Sequence, residues 1–291
     1  MKKILKIVLL SILGLFLMLF IAVSIFVYKA RYGINFYDST PPELPADLSG
    51  KTVLLFSKTN GFRHGEAIEA SIPAFEKMAK DNGWTLYSTD NGAIFNPEQL
   101  QKFDVVIWNN CSGKVLDEEQ RENFKTYVEN GGGYLGIHAS GDNSHQWDSY
   151  EQHVIGTEFS HHSLDPQFQK GTMHLEEGDP KLTVGLLPKW DHEEEWYVFT
   201  ESPRKKGFPI LYTVDEANMS MSGNIKYLVS GKDYGMGEDH PIVWYHPLGK
   251  GRVFYSALGH QGKAFQEANH LKMLENGINW AGKFDEKDRI N

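Results

Sequence analysis

The stretch that decides the fold is Gly131-Gly132-Gly133-Tyr134-Leu135-Gly136-Ile137-His138-Ala139-Ser140-Gly141, residues 131–141. Three glycines ahead of a short apolar run raise the question of a phosphate loop. Phosphate-cradling glycines lie between a strand and the N-terminus of the following helix. Here the order is reversed: the helical pattern of Asp117 to Asn130 ends at the glycines, and the strand-like Tyr134–Ile137 follows them. The triplet therefore reads as a helix C-cap and turn leading into a strand. Beyond the strand, Gly136-Ile137-His138-Ala139-Ser140-Gly141 has the cadence of a nucleophile elbow, in which small neighbours let one residue sit on a sharp strand-to-helix turn. Such an elbow normally carries Ser or Cys. Here it carries His138, a residue suited to acid, base or metal-ligand work near neutral pH.

Working outward, strand and helix signals alternate on the amino-terminal side. Thr52–Phe56 (TVLLF), Trp84–Ser88 and Asp104–Trp108 read as strands, and 66–82 and 117–130 as helices, the second opened by an Asp N-cap with glutamates in its first turn. Such alternation predicts an α/β fold, a mostly parallel sheet with helices on both faces. The carboxyl-terminal side is richer in strands: 171–176, 195–199, 209–214, 241–246 and 252–258, the last two joined by a Gly249-Lys250-Gly251 hairpin turn. An amphipathic helix over 264–281 closes the domain, and no internal repeat is evident.

The N-terminus is of another kind. Ile7 to Tyr28 holds no charge and is long enough, at about 1.5 Å per residue, to cross a hydrocarbon layer of roughly 30 Å. Lys2, Lys3 and Lys6 precede it and Lys29 and Arg31 follow, so the positive-inside rule leaves residues 1–6 cytoplasmic and exports the rest. A cleaved signal peptide, with Ala22 and Ser24 before the cut, is the competing reading, and the length of the apolar run favours an uncleaved anchor. The expected organisation is a cytoplasmic N-terminus (1–6), a transmembrane anchor (7–28), a linker (29–50), one domain (51–283) and a C-terminal tail (284–291). The linker, with Pro41, Pro42 and Pro45 among small polar residues, reads as an extended spacer lifting the domain off the membrane. This gives a single-pass protein bound to the lipid bilayer through residues 7–28, with its domain outside the cytoplasm.

Beyond residue 31 the chain has 24 basic against 38 acidic residues, a net −14, which excludes nucleic acid as a natural partner. One cysteine, Cys111, allows no internal disulfide and reads as a packed core thiol.

All 12 histidines follow the spacer. Open α/β sheets bind ligands beyond the carboxyl ends of their strands. Three histidines fall at such ends: His64 in Gly61-Phe62-Arg63-His64-Gly65, His138, and His260 in Ala257-Leu258-Gly259-His260. Glu195, beside Trp196 and Tyr197, combines a carboxylate with aromatic rings, as sugar sites do. The bland alternative for Asp191–Glu195 is a solvated acidic turn. His145, His153, His174, His192, His240, His246 and His270 read as structural or surface residues, and Trp84, Trp108 and Trp280 as core.

Taken together, these pieces resemble the ThuA-like (trehalose-utilisation) family of the class I glutamine amidotransferase-like superfamily. The matching segments are Phe62-Arg63-His64, residues 131–138, Phe159-Ser160-His161-His162, Glu194-Glu195-Trp196-Tyr197, His240-Pro241-Ile242-Val243-Trp244 and Gly251-Arg252-Val253-Phe254-Tyr255 running on to Leu258-Gly259-His260. They cover nearly all of residues 51–281 in order. The resemblance implies a flavodoxin-like core whose amidotransferase cysteine is replaced by His138, and hence no glutaminase activity. It also implies disaccharide metabolism, including processing of 3-keto sugars made by partner oxidoreductases. Two departures stand out: the family usually has Asp-Glu where this chain has Glu194-Glu195, and the histidine after Phe159 is doubled, with spacing favouring His162.

The combined expectation is a carbohydrate-active enzyme with His138 and Glu195 as acid/base pair. Arg63, His64, His162, Glu194, Trp196, Tyr197 and His260 would bind substrate. The alternative is a non-catalytic carbohydrate-binding module at the membrane surface. A divalent metal such as zinc on His138, His162 and His260, with His64 and Glu195 as further candidate ligands, is compatible with the ligand chemistry, although no close-spaced His-x-x-x-His pair supports it. The residues leave acid/base and metal-assisted chemistry both open.

Overall fold

The computed structural model describes residues 2–287; Met1 of the expected cytoplasmic segment and residues 288–291 of the expected tail lie outside the described residues. In chain order the main elements are α1 (Lys2–Tyr32), β1 (Lys51–Phe56), α2 (Gly65–Asn82), β2 (Trp84–Thr89), α3 (Pro97–Leu100), β3 (Val105–Asn109), α4 (Glu118–Glu129), β4 (Gly133–Ile137), β5 (Phe159–His162), β6 (Gln169–Leu175), α5 (Pro180–Thr183), β7 (Lys189–Glu194), β8 (Tyr197–Phe199), β9 (Ile210–Asp215), β10 (Pro241–Leu248), β11 (Gly251–Ser256), α6 (Ala268–Ala281) and α7 (Phe284–Lys287). Helix α1 is exposed along its described length, long and apolar enough to cross a membrane or to serve as a signal peptide.

Nine strands form one mixed sheet in the order β2-β1-β3-β4-β11-β10-β9-β6-β7. The first five are parallel and reproduce the flavodoxin-like 2-1-3-4-5 order, with β11 in fifth place. The other four extend the sheet antiparallel. Parallel strands covered on both faces must be apolar on both, and β1, β3 and β4 are indeed buried nearly end to end. Helix α4 begins with the capping box that Asp117 and Gln120 encode, satisfying two otherwise orphaned donors. The glycine triplet ends α4 and enters β4; at Gly133 a Cβ would lie 2.6 Å from the Ala281 carbonyl oxygen, so only glycine fits. Leu248 pairs with Gly251 across the Gly249-Lys250 turn, and Gly249 takes the positive φ (+60°) such a hairpin needs.

Register is what positions the site. Asn109, Ile137 and Ser256 lie side by side at the carboxyl ends of β3, β4 and β11. The residues that follow them, His138 and Ala257 among them, therefore emerge together.

Three expectations change. The acidic run Asp191–Glu195 is not a solvated turn: it forms edge strand β7 and its exit, with alternating burial that turns Trp190, His192 and Glu194 inward. The linker is extended but is not a free spacer. It is laid along the domain surface, with Leu44 and Leu48 packed on the core, the Ile34 amide donating to the Asn60 carbonyl (2.7 Å) and Gln99 donating to the Pro42 carbonyl (2.7 Å). At the other end Phe284 is buried against Trp84, so the expected tail begins inside the packing.

Candidate active site

His138 occupies the turn directly after β4 with φ +47°, a left-handed conformation uncommon for a non-glycine residue. Strain of this kind costs on the order of 1–3 kcal/mol and persists only where the surroundings over-determine it. Here Tyr255 Oη donates to the His138 carbonyl (2.8 Å), Ser140 Oγ donates to the Trp108 carbonyl (2.7 Å), and Tyr150 Oη donates to the Ser140 carbonyl (2.5 Å). The small neighbours are required by space: a Cβ at Gly141 would enter the Tyr255 ring, and one at Gly136 would lie 2.6 Å from Tyr134 Oη.

The His138 ring is fully buried. Its Nδ1–H donates to the Ala257 carbonyl (2.8 Å), which orients the ring and turns Nε2 inward. Nε2 lies 3.1 Å from His260 Nδ1 and 3.5 Å from Glu195 Oε2, and His260 Nδ1 lies 3.1 Å from the same carboxylate oxygen. His64, the residue before α2, stands edge-on to both rings, with centroids 4.8 Å from His138 and 4.5 Å from His260. One donor atom from each of His64, His138, Glu195 and His260 lies within 4.8 Å of the other three. His162 Nδ1 approaches the other oxygen of Glu195 (3.1 Å), which also accepts from Gln167 Nε2 (2.6 Å).

Charge is distributed unevenly within this group. Burial is the largest influence on Glu195 and opposes ionisation, but hydrogen bonds from His138 and His260 and the nearby imidazoles outweigh it, holding the carboxyl well below its usual range. Burial likewise disfavours a charge on His138, yet the Glu195 hydrogen bond and the charges of Glu194 and Glu195 prevail and raise its pKa. His64 is pushed well below the usual histidine value, first by burial and then by His138 and His260, so it is neutral. Its buried Nδ1 has no hydrogen-bond partner.

These residues face a cleft of about 620 Å³, within the range of small-ligand sites. Phe62, His64, Asp142, Asn143, Phe159, His162, Gln167, Glu195, Tyr197 and His260 are on its wall. The residues expected from the sequence thus divide. His64, His162, Glu195, Tyr197 and His260 line the cleft, and His138 lies just behind Glu195. Arg63 is exposed and is not on the wall. Trp196 is not a sugar platform: it is fully buried, with its indole N–H donating to the Gln169 carbonyl (2.8 Å). Glu194 is not a substrate ligand. One of its oxygens accepts the Gly259 amide (2.7 Å), the other those of Glu195 (2.9 Å) and His260 (3.3 Å), so it fixes the loop that presents His260. Cys111 is buried after β3 and contacts the Phe56 carbonyl, as a core thiol should.

The metal set His138, His162 and His260 is also revised. His162 lies on the outer oxygen of Glu195, outside the cluster, while the further candidates His64 and Glu195 converge with His138 and His260. The donors fit a divalent ion: three imidazoles and an ionised carboxylate, an orphaned buried His64 nitrogen, and a His138 whose far N–H is held by a carbonyl, as metal-ligating histidines are.

Sequence reasoning missed Phe62, Asp142, Asn143, Phe159 and Gln167. Asp142 and Asn143 were within reach, since they are the first polar residues after the elbow. Gln167 lies in a loop with no motif of its own.

A flavodoxin-like sheet with this elbow defines a glutamine amidotransferase-like fold that has histidine at the turn after β4. The family model described as trehalose utilisation, ThuA, matches residues 52–281, and the chain belongs to that family. Among solved structures it is similar to a ThuA-like protein from Bacteroides uniformis, with TM-score 0.66 and 24% identity over 83% of this chain and 95% of that one. It is also similar to a ThuA-like protein from Parabacteroides merdae, with TM-score 0.60 and 18% identity over 81% and 91%. A search of curated proteins gives no match.

Proposed function

We propose that this ThuA family protein is a membrane-anchored, extracytoplasmic enzyme that acts on a sugar or 3-keto glycoside, by acid/base chemistry at Glu195 with metal assistance from the His64–His138–Glu195–His260 cluster. The observation that carries the reading is the convergence of three imidazoles and one ionised carboxylate on a single point at the floor of a cleft. A partner sugar oxidoreductase would supply the keto group.

The chemistry follows from that carbonyl. A ketone at C3 makes the C2 proton acidic. A base on the cleft wall removes it, the C1–O bond of the glycoside breaks, and the departing oxygen takes a proton. Glu195 is ionised and on the wall, so it suits the first role. His162, the least buried of the site histidines at 29% side-chain exposure, is placed to exchange protons with the substrate. Asp142, whose pKa is raised chiefly by burial, is a second candidate donor. A bound divalent ion would supply Lewis acidity to the ketone oxygen. His138 would then act from behind, holding the cluster in place through Ala257. Glutamine hydrolysis is not proposed, since the elbow holds no thiol and Cys111 is buried elsewhere.

The test is elemental analysis of the detergent-solubilised full chain before and after chelation, followed by turnover of plain and 3-keto glycosides. Stoichiometric metal with turnover of keto substrates supports the proposal. Binding of sugars without turnover by the metal-loaded protein would replace it with the non-catalytic module.

A further inference from the structure

The linker docks on the same loop that carries the site. The Ile34 amide donates to the Asn60 carbonyl, and Asn60 Nδ2 donates back to the Phe36 carbonyl (3.1 Å). Asp38 pairs with the buried Lys58 and accepts the Gly92 amide (2.8 Å), while its own carbonyl accepts from Gln120 (2.8 Å). A buried lysine needs its counter-ion, so this docking is part of the fold. The loop is itself clamped. Asn60 and Gly61 amides donate to the Ser112 carbonyl, Ser112 Oγ donates to the Phe62 carbonyl, and Gly113 lies so close to Gly61 that a Cβ on Gly113 would stand 2.5 Å from the Gly61 nitrogen. The distance of Phe62 and His64 on the cleft wall from the end of α1 is therefore bounded by a short path.

That distance is short. Four helical residues from Tyr28 to Tyr32 add about 6 Å, two residues to Ile34 at most about 7 Å, and two more from Asn60 to Phe62 another 7 Å or so. With the 2.7 Å hydrogen bond between them, Phe62 lies within about 25 Å of the end of the apolar run, in a domain roughly 45 Å across. The rim is also apolar. Phe62 is 41% exposed, and Ile34 and Phe36 on the docked linker are 49% and 66% exposed. A second tip, Tyr227-Leu228 (93% and 82% exposed), belongs to a loop that rests on β5, the strand carrying His162: Ser160 Oγ and Tyr234 Oη are 2.6 Å apart, and His161 Nε2 meets the Met221 carbonyl at 2.9 Å. Exposed aromatic and aliphatic tips suit a bilayer interface.

We infer that the docked linker holds the mouth of the cleft against the bilayer that anchors the chain, and that the substrate is a glycoside carried on a long-chain amphiphile in that bilayer. This rests on the anchored, sugar-processing reading above, and the tests separate the two. The full chain is reconstituted in phosphatidylcholine vesicles, the zwitterionic lipid chosen because the domain is acidic, and flotation is checked first. A fluorophore at Phe62→Cys is then compared with one at Lys181→Cys for quenching by nitroxide-labelled lipid. Stronger quenching at 62 is expected; equal or weaker quenching in floated protein overturns the placement without touching the sugar chemistry, and failure to float overturns anchoring and placement together.

The substrate class is read separately, with hexadecyl and methyl 3-keto-glucoside as probes. A flexible Gly/Ser insert of about 20 residues between Tyr32 and Gly33 leaves the docked linker intact and frees the mouth from the surface. The insert is expected to cut turnover of the hexadecyl glycoside at least tenfold and to leave the methyl glycoside unchanged. Equal turnover of the hexadecyl probe with and without the insert overturns the inference. Turnover of neither probe by the uninserted chain overturns the keto-glycoside reading as well, while the quenching result still reports where the mouth lies.

Discussion

Glu194 and Glu195 are adjacent, both buried, and belong to two regions that use a carboxylate in opposite ways. Glu194 faces a structural cluster: three backbone amides donate to it, and the His192 ring lies 3.5 Å away with Glu267 on its far nitrogen (2.9 Å). Glu195 faces the cleft, and its partners are imidazoles and one amide side chain, groups that a ligand or ion can displace. Backbone donors make a carboxylate part of the scaffold, because moving it would strand buried N–H groups. Imidazole partners leave it able to exchange a proton or accept a metal. The lesson is that burial and an ionised state do not identify a working carboxylate; the nature of its donors does.

The sharpest break of that comparison is Glu195→Gln. It should lower turnover of a 3-keto glycoside by on the order of 10²–10⁴-fold while moving the Tm by no more than a few degrees. A large loss of Tm with activity retained in the folded fraction would merge the two regions into one scaffold.

Glu194→Ala should act the other way. Removing one partner from a buried charge pair costs about 3–5 kcal/mol, so unfolding should shift by that amount in denaturant titrations. If the variant unfolds like the parent yet has lost turnover, Glu194 belongs to the chemistry.

Next in size is the pH dependence of the scaffold cluster. Burial opposes charge on His192, but the glutamates on either side raise its pKa to about 9. A raised pKa means stability that is fully present below the unfolded value near 6.5 and lost as pH rises through about 9, worth roughly 3–3.5 kcal/mol. His270, buried and next to the charged His192, is lowered to about 4. Its contribution has the opposite sense, declining as pH falls from about 6.5 toward 4. Stability should therefore peak near neutrality, and His192→Gln should flatten the alkaline limb. An unchanged alkaline limb in that variant would remove His192 from the account.

The smallest effect is expected at His162. It touches only the outer oxygen of Glu195, so His162→Gln should reduce turnover by about tenfold and alter the pH–rate profile without loss of metal. Loss of metal on that substitution would return His162 to the ligand set.

Much of this was legible beforehand because it is local. The alternation of strands and helices, the glycine triplet that ends a helix, the elbow at His138 and the histidines at three strand ends are short-range patterns, and the fold places them as those patterns imply. Glu194 was misplaced because β7, in which neighbours point to opposite faces, was not anticipated: three consecutive glutamates read as solvent. Trp196 lies between β7 and β8, and its burial is fixed by the Gln169 carbonyl, a partner distant in sequence. The alternation Trp190, His192, Glu194 was the available signal. His64 was recognised by its position after β1, yet its membership of the donor set depends on α2 packing against the turn over 262–266 that follows β11.

By itself the sequence determined an apolar N-terminal helix, an α/β domain of the ThuA family, an acidic composition and a histidine at the elbow after β4, since periodicity, charge and motif order are properties of contiguous residues. Only the tertiary structure decided which histidines meet Glu195, that Glu194 is scaffold, and that the linker is docked on the loop beside the cleft. Those facts depend on register between strands distant in sequence and on hydrogen bonds closed across the whole domain, where one residue of slip would turn every side chain to the opposite face.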